Sequence, residues 1–238
     1  MHKIRVVPAA IAVLVCVLAL GCGRRAERQQ APQPATSPPP SAPASSGEDT
    51  GHPKIVALGD SLTAGHGLLE MEAYPALLQQ KLNEDGYAWD VMNAGISGDT
   101  SAAGLQRLDW ALQQGDVRIL ILELGANDGL RGLAVPEMQK NLGAIIAQAQ
   151  GRGISVLLVG MEAPPNFGPQ YATAFHQVYR DLARQYHVPL VPFMLDKVAG
   201  IPELNQADGI HPNVQGTKIV ADTIWNALKP MVDAANAS

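Results

Sequence analysis

From Lys54 onward, short apolar runs alternate with longer segments of helical spacing, and each run ends in a loop rich in Gly or Asn. Ile55 to Leu58, Trp89 to Met92, Ile119 to Leu124, Ser155 to Val159 and Pro189 to Val191 read as strands. Helical spacing covers Tyr74 to Glu84, Ser101 to Gln113, Pro136 to Gln150, Gln170 to Tyr186 and Val214 to Val232, and Pro136 and Pro212 suit helix starts. Strands that are apolar throughout, separated by crossover helices, indicate a parallel sheet covered on both faces. The expected fold class is therefore α/β, a three-layer α/β/α sandwich around a five-stranded parallel sheet. Right-handed crossovers put every strand's carboxyl end on one edge, where open parallel sheets build their sites.

At 238 residues the chain is about one domain plus appendages. Lys3 and Arg5 precede an apolar run from Val6 to Leu20, which makes residues 1–21 read as a bacterial export signal. Leu18-Ala19-Leu20-Gly21-Cys22 resembles a lipobox, which implies cleavage before Cys22 and a lipid on its thiol. An uncleaved anchor and ordinary secretion are the alternatives. Residues 22–51 follow as a linker. Ala31 to Ser46 holds six Pro among sixteen residues, the rest mostly Ala, Ser and Thr, and lacks apolar periodicity. In polyproline geometry, 24–51 reaches roughly 85 Å, enough to hold a domain, here 52–238, away from a membrane. Arg24, rather than Asp, follows Gly23, which by resemblance to lipoprotein sorting favours an exported, periplasm-facing protein on the outer membrane.

The formal charge of −5 comes with no basic stripe, which argues against nucleic acid as a partner. Both cysteines lie in the first 22 residues, so the rest of the chain has neither a disulfide framework nor a thiolate metal site.

The informative residues follow the strands. Gly59-Asp60-Ser61-Leu62-Thr63 ends the first, Asn93-Ala94-Gly95-Ile96-Ser97-Gly98-Asp99-Thr100 the second and Gly125-Ala126-Asn127-Asp128-Gly129 the third, while Asp208-Gly209-Ile210-His211-Pro212 precedes the last helix. Ser61 alone reads as a helix cap. Between a buried strand and a Gly-rich loop, however, its Oγ is exposed at the sheet edge. Thr63 in place of a second Gly sets the segment apart from the G-x-S-x-G elbow. His66, in a Gly65-His66-Gly67 turn, suits a place on the surface or at the rim better than a base. Asp208 stands one turn before His211, which suits either a helix cap or a carboxylate orienting an imidazole. Asn127 is either a turn residue or a donor, and Gly95 supplies either positive φ or an N–H. Taken together, the Ser61 N–H, the Gly95 N–H and the Asn127 amide are three donors on adjacent loops, suited to cradling an oxyanion.

These four blocks, in order and with suitable spacing, resemble the GDSL or SGNH hydrolases, whose fold is a flavodoxin-like α/β/α sandwich. The segments around Gly95 and Gly129 to Gly132 are similar to the subgroup of periplasmic arylesterases, acyl thioesterases and lysophospholipases. The resemblance implies Ser61 as nucleophile, His211 as general base and acid, Asp208 as its partner, and Ser61, Gly95 and Asn127 as oxyanion hole. It implies cleavage of acyl esters or thioesters through an acyl-enzyme, without metal or cofactor; the lipobox and Pro-rich spacer are extra to the family's usual soluble periplasmic form, and the expected state is a membrane-tethered monomer. Two loops are candidate substrate walls: Gly129 to Ala134, with Leu130 and Arg131, and Glu162 to Gly168, with Pro165, Asn166 and Phe167. Carbohydrate O-deacetylation is the runner-up, set back by an aromatic content of 5%. A tethered binding lipoprotein with a vestigial triad is a second alternative. A phosphate-cradling loop is disfavoured, because Gly59 to Gly67 lacks both the Gly-Lys-Ser/Thr ending and the G-x-G-x-x-G fingerprint.

Overall fold

The computed structural model describes residues 51–237; the leader, Cys22 and the linker up to residue 50 lie outside them. Five parallel strands form one sheet: β1 (Lys54–Gly59), β2 (Asp90–Gly95), β3 (Val117–Glu123), β4 (Ser155–Val159) and β5 (Leu190–Val191), in the order β2-β1-β3-β4-β5. The three middle strands are the most apolar because helices cover both their faces; Ile55 to Leu58, Ile119 to Leu122 and Val156 to Val159 are all buried. This order reverses direction between β1 and β3, and the crevice beyond their carboxyl ends is where such sheets take ligands.

Eight α-helices are described: α1 (Ser61–Ala64), α2 (Tyr74–Glu84), α3 (Ser101–Gln106), α4 (Leu108–Leu112), α5 (Ala126–Leu130), α6 (Val135–Gln150), α7 (Pro169–Tyr186) and α8 (Val214–Asn236). Helix α2 packs on α8, while α6 packs on α3 and α7. The sheet and the five long helical segments follow the apolar pattern, with three departures. The helix expected over Ser101 to Gln113 is broken at Arg107, whose side chain turns into the protein. Strand β2 runs on to Gly95, so Asn93 to Gly95 belong to the ladder beside β1 rather than to a loop. Helix α8 continues through Pro230 to Asn236; Pro230 is exposed, so the carbonyl it leaves without a donor faces water.

Both ends of the domain are tied to one place. The Pro53 carbonyl accepts from the N–H of Asp90 (3.1 Å), and the neighbouring Trp89 donates its indole N–H to Asn236 Oδ1 (2.9 Å). The Tyr87 hydroxyl donates to Asp233 beside them. These contacts sit at the amino-terminal ends of the strands.

Candidate active site

Strand β1 delivers its last residues into a tight corner. A Cβ on Gly59 would lie 1.9 Å from Thr63 Oγ1 and 2.6 Å from Glu123 Oε2, so only glycine lets those two groups close in. Asp60 caps α1 by accepting from the N–H of Leu62 (3.0 Å), which puts Ser61 at the first helical position, where a backbone N–H has no intrahelical partner.

The 208–211 loop meets Ser61 from the other end of the chain. Asp208 Oδ1 accepts from the N–H groups of Ile210 and His211, both at 3.0 Å, a turn that Gly209 permits at φ 75°. The other oxygen, Oδ2, lies 2.7 Å from His211 Nδ1, and His211 Nε2 lies 2.9 Å from Ser61 Oγ. The His211 ring, followed by the two N–H bonds, holds the Asp208 carboxyl down at about 2. Asp208 therefore stays ionised across the whole range in which imidazoles titrate.

Asn127, on α5 just past β3, donates from Nδ2 to Asp60 Oδ2 (3.0 Å), which orients the amide and leaves its second N–H for an incoming group. Gly95 is placed differently. Its N–H donates to Asn93 Oδ1 (2.9 Å), and it is not among the residues lining the cavity at Ser61. Its lack of a side chain has a packing reason, since a Cβ there would sit 2.3 Å from the backbone nitrogen of Ala64.

Beneath Ser61 lies a buried polar layer that the sequence pattern does not reveal. Glu123, the last residue of β3, is wholly buried; its Oε2 accepts from the Thr63 hydroxyl (2.8 Å) and the Asp60 N–H (3.3 Å), while Oε1 has no partner among the described residues. Burial, and then the neighbouring Asp60, pushes Glu123 well above the ordinary carboxylate range, and burial pushes Asp60 up to about 6. An acid that holds its proton more tightly folded than unfolded favours the folded state less as pH rises from its ordinary value to its folded one. Relative to wild type, Glu123→Gln should therefore gain stability as pH rises above the ordinary carboxylate range, read from urea unfolding at pH 5 and pH 8. A constant difference across that range would show Glu123 to be ionised throughout.

Arg107 fills the gap between β1 and β2, donating to the carbonyls of Ala94 (2.7 Å) and Gly59 (2.8 Å) and to Asp99 (2.5 Å). Asp128 accepts from the backbone N–H and hydroxyl of Ser101 (2.8 and 2.6 Å), joining the α3 start to α5. A charge ending an apolar strand, and one interrupting a helical stripe, are the signals that mark Glu123 and Arg107.

A cavity of about 270 Å³ opens over Ser61, Asn127 and His211. Of the two expected wall loops, the first lines it through Leu130 and the second through Glu162, Ala163 and Pro164, its first three residues. Arg131 instead donates to the Gly98 carbonyl (2.8 Å), fastening two loops together. Asn166 and Phe167 are exposed, and the Phe167 ring lies against Gly132 and 5.3 Å from the Tyr171 ring. Pro165 belongs to the same short turn, Pro165–Phe167. The walls come largely from Met161 to Pro164 and from the segment after β5, with Phe193, Leu195 and Ala199. That segment could be suspected only from its apolar residues beyond the last strand. His66, expected at the surface or rim, is exposed, its ring centroid 4.7 Å from that of His211.

Residues 57–219, more than half the chain, match the GDSL-like Lipase/Acylhydrolase family. The chain is 43% identical over 178 residues to Esterase TesA of Pseudomonas aeruginosa, covering 75% of this chain and 89% of that protein. Over 179 residues it is 39% identical to Thioesterase 1/protease 1/lysophospholipase L1 of Escherichia coli (strain K12), covering 75% and 85%. A crystal structure of TesA matches with a TM-score of 0.72 at 44% identity, over 74% of this chain and 98% of that one. The sheet order, the loops that meet beyond it and the extent of these matches together show that the chain belongs to the GDSL-like lipase/acylhydrolase family.

Proposed function

We propose that this carboxylic ester hydrolase cleaves acyl esters and thioesters through an acyl-serine formed on Ser61. The observation that carries the reading is the continuous set of hydrogen bonds from Ser61 Oγ through His211 to Asp208 beside a cavity with apolar walls. His211 Nε2 takes the Ser61 proton as Oγ attacks the carbonyl, and Asp208 stabilises the imidazolium. The proton then passes to the departing alcohol or thiol. Water, activated by the same nitrogen, releases the acid and restores Ser61. The Ser61 N–H and the free N–H of Asn127 receive the oxyanion. The Gly95 N–H joins them by sharing or giving up its bond to Asn93. No step calls for a metal or cofactor.

The export signal, the lipobox-like Cys22 and the Pro-rich linker support a lipid-anchored, periplasm-facing enzyme held off the outer membrane. Labelling cells with a radioactive fatty acid tests the anchor: Cys22→Ser should abolish incorporation into the protein, and retained label would refute it.

The cavity is small on the scale of ligand pockets, about 300–1,000 Å³, so short and medium acyl chains should be turned over faster than palmitate. Hydrolysis of p-nitrophenyl esters from acetate to palmitate by the purified enzyme tests this directly. Asn127→Ala should lower kcat by about 10² to 10³ with little change in KM, as expected for a donor used mainly in the transition state. A folded wild-type protein inert to the whole series would overturn the general esterase reading in favour of a narrow O-acetyl esterase or a binding lipoprotein.

A further inference from the structure

Besides the groups already given roles, the catalytic edge carries His66. Its position is held by contacts with the two catalytic loops. Its N–H donates to the Ser61 carbonyl (3.0 Å), and its own carbonyl accepts from Gln206 Nε2 (2.7 Å), which also donates to the Pro212 carbonyl (2.9 Å). Gly65 and Gly67, at φ 74° and 75°, make the turn, and a Cβ on Gly67 would meet Gln206 Oε1 at 2.2 Å. The turn thus holds the His66 ring beside His211. One ligand atom each from His66, Asp208 and His211 lie within 4.8 Å of one another, the only such trio of His, Cys, Asp or Glu among the described residues.

We propose that His66, Asp208 and His211 form a binding site for a zinc-class dication, and that occupation of this site switches the enzyme off reversibly. Two imidazoles and a carboxylate, with one position left to water, suit Zn²⁺ and not Mg²⁺ or Ca²⁺, which prefer oxygen ligands. Ligand atoms around a tetrahedral zinc stand about 3.3 Å apart, given bonds near 2.0–2.1 Å. Small rotations of His66 and Asp208, both exposed, close the remaining distance. Either nitrogen of His211 gives the same result. An ion on Nε2 occupies the base itself. An ion on Nδ1 selects the other tautomer of the neutral ring: its single proton, shared with Asp208 at rest, moves to Nε2, which then cannot accept one from Ser61.

The inference rests on His211 as the base, so binding and inhibition are read separately. The full chain carrying Cys16→Ser and Cys22→Ser, free of competing thiols, is assayed with p-nitrophenyl acetate against buffered Zn²⁺. Each variant is referred to its own activity in EDTA. Zn²⁺ should inhibit reversibly where Mg²⁺ does not, and His66→Ala should raise the inhibition constant at least tenfold. Equilibrium dialysis of Zn²⁺, which needs no turnover, should show one ion fewer per chain in His66→Ala. Because it also works on Ser61→Ala, failure of ester hydrolysis leaves the site measurable. Equal inhibition of wild type and His66→Ala, equal binding by both, or no effect of Zn²⁺ up to millimolar concentration would overturn the site.

Discussion

Ser61→Ala should retain the fold and lose about 10⁴ to 10⁶ of kcat toward a p-nitrophenyl ester. The retained fold follows from the surroundings. Asp60, not Ser61, caps α1, and among the described residues the Ser61 hydroxyl bonds only to His211, so thermal melts of variant and wild type should coincide within a degree or two. The size of the loss follows from the relay acting as one unit: without the nucleophile, His211 has no proton to take. The double variant Ser61→Ala with His211→Ala should therefore be little worse than either single one, and the residual rate reflects binding and the oxyanion donors. Additive losses would mean that the two side chains act independently, and a minor loss in Ser61→Ala would remove the acyl-serine from the mechanism. A fluorophosphonate gives the complementary readout, labelling wild type quickly and Ser61→Ala not at all.

Arg107→Ala should show the largest loss of stability, about 3–5 kcal/mol, lowering the unfolding midpoint by about 10 °C or more. The guanidinium is largely buried and serves three acceptors, so its removal orphans the carbonyls of Gly59 and Ala94 and leaves Asp99 without its cation. Those carbonyls belong to the last residue of β1 and the last but one of β2, two residues before Ser61 and one before Gly95. The variant should therefore also lose turnover, although Arg107 is distinct from the residues lining the cavity. Arg107→Lys should recover only part of the stability, because one ammonium lacks the planar fork that spans three acceptors. Urea unfolding of both variants gives the comparison. Near-complete recovery with lysine would show that charge alone matters there.

The contrast between Ser61 and Arg107 marks what the sequence made legible. Strands such as Ile119 to Leu122 declare themselves because burial on both faces demands unbroken apolar residues, and the crossover helices follow from their stripes. Ser61, Asn127, Asp208 and His211 stand at fixed places just after strands or just before a helix, so topology alone brings them to one edge, as found. Arg107 and Glu123 were hidden because their roles depend on partners far along the chain, Gly59 and Ala94 for one and Thr63 for the other. Part of the cavity wall was hidden for a similar reason. Phe167 closes onto Gly132 and Tyr171, a choice set by shape in three dimensions, while Phe193 and Leu195 take the position beside Ser61. For Gly95, a residue without a side chain gave no sign of which acceptor its N–H would meet.

The shared anchorage of the domain's two ends bears on how the enzyme can be rebuilt. Pro53 and Asn236 are both tied to the Trp89-Asp90 segment, at the far end of the strands from Ser61. A short peptide can therefore join the termini of the folded part and new ends can be opened elsewhere, giving a circular permutant with the catalytic edge intact. By the same geometry, a fusion partner or a solid support attached through either terminus leaves the cavity mouth facing outward, toward the substrate.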